Sequence, residues 1–228
     1  MDLKKSTPLL IGAALLALTA SASALAVKPF TADYTASYMG LQGAGQMRIE
    51  PAGSNRWKYT MSIRSNVAQL VQSTTFEDKG GEFRPLSGTD SSLLLIKKSN
   101  KTASYDWAKG EARWSGDVKA ERAGPVKLQD GDLDAMLVNL AVARDAAAGK
   151  PMNYRMVDDG RVKRMTYTVS GKETIEIGGR QREATKVTHT DGNKQYLAWV
   201  VDGLPVPARI LQRKDGKDQI DLKIKSLN

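Results

Sequence analysis

His189 is the only histidine in the sequence and therefore the only side chain that ordinarily titrates close to neutral pH. A Ser-His-Asp system needs such a residue as the general base between a nucleophile and an orienting carboxylate. Asp191 is close along the chain and Ser170 can come near on a paired strand, but no serine stands in a nucleophile-elbow context. His189 also alternates with Thr188 on a predicted strand. This pattern favours a structural histidine, and we predict no catalytic residue.

Metal chemistry has little support, because the chain has no cysteine and one histidine. Zinc and other transition metals prefer clusters of Cys, His and carboxylate. The segment Asp130-Gly131-Asp132-Leu133-Asp134 resembles the beginning of a calcium loop but lacks the later glycine and glutamate of an EF-hand. We interpret its aspartates as helix-capping residues, with Asp130 or Asp132 as the cap. The sequence predicts no metal and no cofactor.

Two further motifs have ordinary structural interpretations. Asp158-Asp159-Gly160 is the visible candidate for a carboxylate pair of the kind that glycosidases use, but Asp-Asp-Gly before a basic strand is typical of a hairpin turn. The glycines from Gly40 to Gly45 are not followed by the Gly-Lys-Ser/Thr element of a phosphate loop. Both segments are therefore predicted to be turns.

Aromatic and apolar side chains are the remaining candidates for a site. In sheet proteins such residues more often form the core, but they also line pockets for apolar or sugar ligands. The candidate ligand contacts are Tyr34, Trp57, Tyr59, Trp107, Met136, Leu140 and Trp199.

Residues 1–26 have the features of a cleavable secretory signal. Lysines precede an apolar stretch from about Pro8 to Ala20, and the small residues Ala24 and Ala26 suit a signal peptidase. The stretch is shorter than the about 20 apolar residues that span a bilayer, so we expect a product that does not span the membrane. We predict a periplasmic protein in which residues 27–228 form a single β-rich domain.

The formal net charge of +9 favours anionic partners such as lipid head groups. Export makes nucleic acid the least expected of the anionic partners, and we predict no nucleic-acid binding. The basic side chains are also scattered rather than blocked, which is typical of a solvated surface.

Alternation of apolar and polar residues recurs through the chain and predicts strands with one buried face. It is clear from Phe30 to Tyr38, from Trp57 to Ile63 and in the last hairpin around Asp215-Gly216. A short apolar run, Leu93 to Ile96, continues the strands of the middle region. The pattern predicts a mainly β fold, with an antiparallel curved sheet or a half-open barrel or sandwich of many strands.

One segment is helical in character. From Asp132 to about Ala148 it consists of helix formers, and Gly149 followed by Pro151 predicts where the helix ends. Apolar residues recur within it at helical spacing, at Leu133, Met136, Leu137 and Leu140. We predict one central amphipathic helix, at about 132–148, that joins two β-rich halves and packs on a sheet face.

The order of these features resembles the DUF3108 family of exported bacterial proteins, whose function is unassigned. The resemblance rests on the opening Phe30-Thr31-Ala32-Asp33-Tyr34 strand with its glycines and on the Asp132-to-Gly149 helix, which includes Arg144. It also rests on Trp199-x5-Pro205-x-Pro207, which leads into Arg209-Ile210. The resemblance implies no catalytic residues.

Three functions stay open at this stage. The favoured hypothesis is a non-catalytic periplasmic binding or carrier protein for an apolar or amphiphilic envelope ligand such as a lipid, which predicts an apolar cavity. The second is a structural or protein-interaction module in envelope assembly, which predicts an envelope protein partner and no deep pocket. The third is an envelope hydrolase, which predicts convergent carboxylates with shifted pKa values in a cleft.

Overall fold

Antiparallel strands dominate the fold, which is described for residues 27–228 by a computed structural model. The signal-peptide prediction for residues 1–26 lies outside the described residues. The predicted mainly β fold with a single central helix is confirmed.

Eight strands precede the helix, and a short 3₁₀ turn, Ala120–Arg122, separates the last two of them. These strands are β1 Phe30–Tyr38, β2 Leu41–Gly53, β3 Arg56–Arg64, β4 Ala68–Lys79, β5 Glu82–Leu94, β6 Lys97–Asp106, β7 Glu111–Gly116 and β8 Val126–Lys127. The helix α1 spans Ala135–Ala147. The strands after it are β9 Met152–Asp158, β10 Arg161–Ile177, β11 Arg180–Asp191, β12 Lys194–Val200, β13 Arg209–Lys214 and β14 Lys217–Leu227.

All the described strands belong to one 14-stranded sheet. Neighbouring strands in it are consecutive along the chain, with the one exception of the pair β1 and β14. The sheet runs from β8 back to β1, continues with β14 and then runs back to β9. The first and last strands therefore pair, and the two strands that flank α1 form the edges. Because a long sheet twists and curls, it forms a nearly closed barrel.

The buried face of β1 shows why this sequence forms strands. Phe30, Ala32, Tyr34 and Ala36 are buried, whereas the residues between them are partly or fully exposed. Side chains of a strand alternate between its two faces, so this set lines the barrel interior as predicted. Opposite Tyr34 lies Gly45, where an added Cβ would be only 3.2 Å from the Cβ of Tyr34.

The helix α1 lies inside the barrel and is buried on most of its surface. Its N-cap is Asp134, whose Oδ1 accepts a hydrogen bond of 2.8 Å from the Leu137 amide. The prediction of Asp130 or Asp132 as the cap is therefore wrong. Within residues 27–228, no helix combines the length and apolar character that a membrane crossing requires.

A backbone contact explains the late start of the helix. The amide of Leu133 donates to the Arg155 carbonyl at 3.2 Å, and the Val157 amide donates to the Leu133 carbonyl at 2.8 Å. These bonds keep Leu133 in an extended bridge with β9, so the helical conformation cannot begin before Asp134. Asp132 instead accepts from the Gln129 amide.

The seam, by which we mean the gap between the edge strands β8 and β9, is held by side chains. The Tyr105 hydroxyl donates to the Val157 carbonyl at 3.0 Å. The Asp159 carboxylate, in the turn between β9 and β10, pairs with Lys101 at 3.0 Å and with Arg122 at 2.6 Å. Contacts from β6 and the 3₁₀ turn thus replace a strand ladder across the seam.

A glycine substitution can test this closure. In two matched turns, Asp159-Gly160 and Asp215-Gly216, both residues have positive φ. A Cβ at Gly160 would lie 2.1 Å from the Arg122 carbonyl oxygen, whereas a Cβ at Gly216 would meet nothing within 4 Å. In both Gly→Ala variants the left-handed backbone conformation lowers the free energy of unfolding by about 1 kcal/mol. We expect urea unfolding to show a clearly larger loss of stability in Gly160→Ala than in Gly216→Ala. Equal losses would contradict the close approach of Gly160 to Arg122 at the seam.

Candidate functional site

The predicted ligand contacts are dispersed in the structure. Tyr34, Tyr59, Leu140 and Trp199 are buried in the main core. The Tyr34 hydroxyl donates to the Pro207 carbonyl at 2.9 Å.

The two other tryptophans among these candidates are only partly buried. Trp57 packs against the main core. Trp107 donates its Nε1–H to the Pro85 carbonyl at 2.7 Å, and the Arg84 guanidinium lies 4.6 Å from its ring centroid. Of all the predicted contacts, Met136 is the one that borders the cleft described next.

A cleft of about 230 Å³ opens at the seam between strands β4–β7, the start of α1 and the end of β9. We call it the seam cleft. Its lining includes Met136 of the main core and also Tyr105 and Trp114, which belong to a second, smaller hydrophobic cluster. The residues that line it include Gln72, Thr74, Gly88, Asp90, Lys101, Ala103, Tyr105, Trp114, Asp134, Met136, Asp158 and Asp159.

Asp134 lines the seam cleft, and both its carboxylate oxygens accept hydrogen bonds. Oδ1 accepts from the Leu137 amide, and Oδ2 accepts from the Thr74 hydroxyl. Burial raises the pKa of Asp134 to about 6, although these hydrogen bonds act in the opposite direction. The group therefore has a structural task as the cap of α1.

Asp158 is the second carboxyl of the seam cleft and is differently placed. Its Oδ1 accepts from the Asp159 amide at 2.9 Å, and no described residue donates to its Oδ2. Burial, reinforced by the nearby charge of Asp134, raises the pKa of Asp158 to about 7. Asp158 therefore exchanges its proton close to neutral pH, and its second oxygen is available to a ligand.

The opposite wall of the seam cleft is partly aromatic. The Tyr105 and Trp114 rings pack edge to face with centroids 6.0 Å apart. Lys101 reaches across to Asp159, so this cation is already neutralised. The seam cleft is thus amphiphilic, because carboxyls and aromatic rings both line it.

His189 lies away from the seam cleft. Its Nδ1 is 2.9 Å from the Thr166 carbonyl, and its ring lies 5.5 Å from that of Tyr167 and 5.7 Å from that of Tyr196. Asp191 pairs with Lys163 at 3.1 Å rather than with the imidazole. The hydroxyl of Ser170 bonds to Thr188 at 3.0 Å. The histidine, serine and aspartate therefore form no triad.

Metal ligands do not converge in the described part of the chain. Within residues 27–228, no three His, Asp or Glu side chains are grouped so that they could hold a metal ion. Asp130 is exposed and lies 3.4 Å from the Arg84 guanidinium, whereas Asp132 is buried and pairs with Arg155.

The sequence alone indicated few of the residues that line the seam cleft. Asp158 was visible in the Asp-Asp-Gly motif, and that motif does form a turn, but its role in the cleft was not predicted. Nothing in the sequence indicated that Thr74, Trp114 and Asp134 come together, because they lie on elements far apart along the chain.

Among solved structures, a beta-barrel-like protein of the domain of unknown function DUF1849 from Brucella abortus has a similar fold. The TM-score is 0.54 at 11% identity, over 88% of this chain and 97% of that chain. The MucA/MucB complex of Pseudomonas aeruginosa gives a TM-score of 0.34 at 9% identity, over 88% of this chain and 51% of that chain. A MucB crystal structure gives 0.33 at 8%, over 91% and 55%. This chain thus spans about half the length of those last two chains.

Residues 31–223 match the model of a family described as "Protein of unknown function (DUF3108)". The match covers most of the chain and confirms the resemblance drawn from the opening strand, the helix and the proline segment. A search of the curated proteins finds no match.

The two carboxyls of the seam cleft predict an unusual pH dependence of stability. Unfolded aspartates titrate near pH 3.9, whereas the folded-state pKa values are about 6 for Asp134 and about 7 for Asp158. The folded state holds these protons more tightly, so the stability present below about pH 4 is lost as the pH rises towards 7. We expect Asp158→Asn to be more stable than the parent at pH 8 by on the order of a few kcal/mol, since one pKa unit is about 1.4 kcal/mol.

Urea unfolding at pH 4, 6 and 8 measures this effect, and the difference between Asp158→Asn and the parent should vanish near pH 4. Asp191→Asn is the matched control, because Lys163 lowers the pKa of Asp191 and the sign is therefore reversed. If the free energy of unfolding changed by the same amount between pH 4 and pH 8 in the parent protein and in Asp158→Asn, the raised pKa of Asp158 would be contradicted.

Proposed function

We propose that this chain, which belongs to the DUF3108 family, is a non-catalytic binding protein of the bacterial cell envelope that takes its ligand in the seam cleft. The observation that carries the proposal is the Asp158 carboxyl, which has one oxygen without a donor among the described residues and a pKa of about 7. Asp158 is partly buried. A carboxyl with a raised pKa in a cleft, which neither a helix cap nor an ion pair explains, is typical of a binding or catalytic site.

The charge of the seam cleft favours a ligand that donates hydrogen bonds or carries a positive charge. Asp90, Asp134, Asp158 and Asp159 line the cleft, whereas Lys101 is its one lining cation among the described residues and is paired with Asp159. A cationic or amine group beside Asp158 would offset the cost of ionising this carboxyl. Binding of such a ligand should therefore strengthen as the pH rises through about 7.

The shape of the seam cleft favours a small ligand or one end of an amphiphile. Its volume of about 230 Å³ is below the about 300–1,000 Å³ typical of pockets for drug-sized molecules. Tyr105, Trp114 and Met136 offer apolar surface beside the carboxyls. These features support an amphiphilic envelope ligand whose polar end enters the cleft. The periplasmic location within this proposal rests on the predicted signal in residues 1–26.

A hydrolase is the second candidate, and the same carboxyls favour it. A group whose pKa is near 7 suits a general acid, and a second carboxyl lines the same cleft. Against this, both oxygens of Asp134 are occupied by the Thr74 hydroxyl and the Leu137 amide. Asp134 is therefore poorly placed to activate a water molecule, and we rank binding above hydrolysis.

Native mass spectrometry of the protein purified gently from cells tests ligand binding. We expect an adduct that is present in stoichiometric amount, is lost on solvent extraction and is reduced at least tenfold in Gly88→Leu. A Cβ at Gly88 would make ordinary contacts, 3.5 Å from the Ala103 Cβ, so leucine can fold there while filling the cleft. Ser87→Leu is the matched control, because Ser87 is exposed on the other face of the same strand.

The outcomes separate the hypotheses. An unaltered adduct in Gly88→Leu would show that the ligand binds outside the seam cleft. If the parent protein carried no adduct, the protein-interaction module would become the favoured hypothesis.

Turnover assays with cell-wall polysaccharide fragments address the hydrolase alternative. Under the binding proposal, neither Asp158→Asn nor His189→Ala changes the release of new reducing ends above the background. Release by the parent protein that Asp158→Asn abolishes, with unfolding curves that show an intact fold, would establish the hydrolase instead.

A further inference from the structure

A row of exposed apolar side chains occupies one end of the barrel. These residues lie in or beside the β1–β2, β3–β4 and β5–β6 turns, and Leu95 and Ile96 are 68% and 97% exposed. Side chains that are exposed in this way contribute nothing to the hydrophobic core. We call the set the tip row: Met39, Leu41, Val67, Leu94, Leu95 and Ile96.

The three turns are neighbours at the same end of the sheet. The strands β1 to β6 are paired in order and run antiparallel, so alternate turns share one end. The Leu95 amide donates to the Val67 carbonyl at 2.8 Å, which joins two of the turns. At Gly43, beside the first turn, an added Cβ would lie 2.2 Å from the Arg64 carbonyl oxygen at the second. The tip row is therefore one contiguous surface.

Local backbone conformation makes these side chains unexpected. Met39 and Leu95 have φ values of 49° and 55°. Glycine, asparagine and aspartate usually occupy that left-handed region, and two other turns at the same end use Asp159-Gly160 and Asp215-Gly216. Large apolar residues at these positions benefit neither the turn nor solubility, so a partner is needed to explain them.

Within the three segments that form the tip row, every charged residue is a cation. Segments 39–43, 64–70 and 91–99 contain Arg64, Lys97 and Lys98 but no aspartate or glutamate. Lys97 pairs across the β5–β6 hairpin with Leu94, and Lys98 pairs with Leu93, so each lysine lies beside a leucine. All three cations are exposed, and none forms an ion pair with another described residue.

We infer that the tip row docks on an anionic lipid bilayer. The apolar tips enter the interfacial region, and Arg64, Lys97 and Lys98 contact the lipid phosphates above it, as amphipathic membrane-surface segments do. Long basic side chains suit this arrangement, because their stems lie along apolar surface while the charge stays in the polar layer. The surface is separate from the seam cleft, so neither proposal depends on the other.

Co-sedimentation with vesicles tests the inference, using the full chain expressed in cells and a measured N-terminus common to all variants. We expect binding to vesicles of phosphatidylcholine with phosphatidylglycerol, weaker binding to phosphatidylcholine alone, and a loss of binding as salt increases. The variant Ile96→Asp and the double variant Lys97→Glu/Lys98→Glu should each bind about tenfold less tightly, or worse. Val169→Asp is the matched control, because Val169 is 61% exposed on β10, outside the tip row.

Unfolding curves identify variants that fail to fold, and Ile96→Asp should be unaffected because its side chain is almost fully exposed. No binding by the parent protein, or an equal loss in Val169→Asp, would overturn the inference. So would a dimer of the parent protein that Ile96→Asp dissociates, because a second copy of the chain would then cover the tip row.

Discussion

The ladder between β1 and β14 is the interaction on which the rest of the structure depends. It pairs Ala32 with Leu227 near one end and Tyr38 with Ile220 near the other, and so joins residues almost 200 positions apart. Without it the chain would be two separate meanders, each with one apolar face open to water. With it the two halves share one interior, which α1 fills. Closure of this kind removes two free strand edges and buries apolar area that neither half could bury alone.

Closure at the seam follows a different principle, because no ladder joins β8 to β9. Leu133 bridges to β9, Tyr105 donates to a β9 carbonyl, and Asp159 is held by two cations. These isolated contacts fill space less completely than a continuous strand ladder, and a polar cleft lies beside them. The carboxyls of Asp134 and Asp158 raise the free energy of the folded protein at neutral pH. For Asp134 this cost is offset by capping α1. For Asp158 the described residues provide no such compensation.

The protein therefore presents two surfaces that folding does not explain, at different places on one barrel. The seam cleft is acidic and partly aromatic, and the tip row is apolar with basic flanks. Lys101 in the cleft is five residues beyond Ile96, which directly precedes β6, and this separation corresponds to about 17 Å of extended chain. The cleft and the tip row are thus separated by only a short length of strand.

Local patterns in the sequence determined the strands, the turns and the helix α1, because alternation, glycine turns and helix formers act over a few neighbouring residues. They also predicted the turn at Asp159-Gly160, which directly follows Asp158 at the end of β9. Only the tertiary structure decided that Asp134 caps the helix rather than Asp130 or Asp132, since the bridge to β9 holds Leu133 in an extended conformation. Likewise, the run from Leu93 to Ile96 looked like one more strand. The register of β5 against β6 put its last two residues in an exposed turn instead, and register depends on pairing between distant parts of the chain.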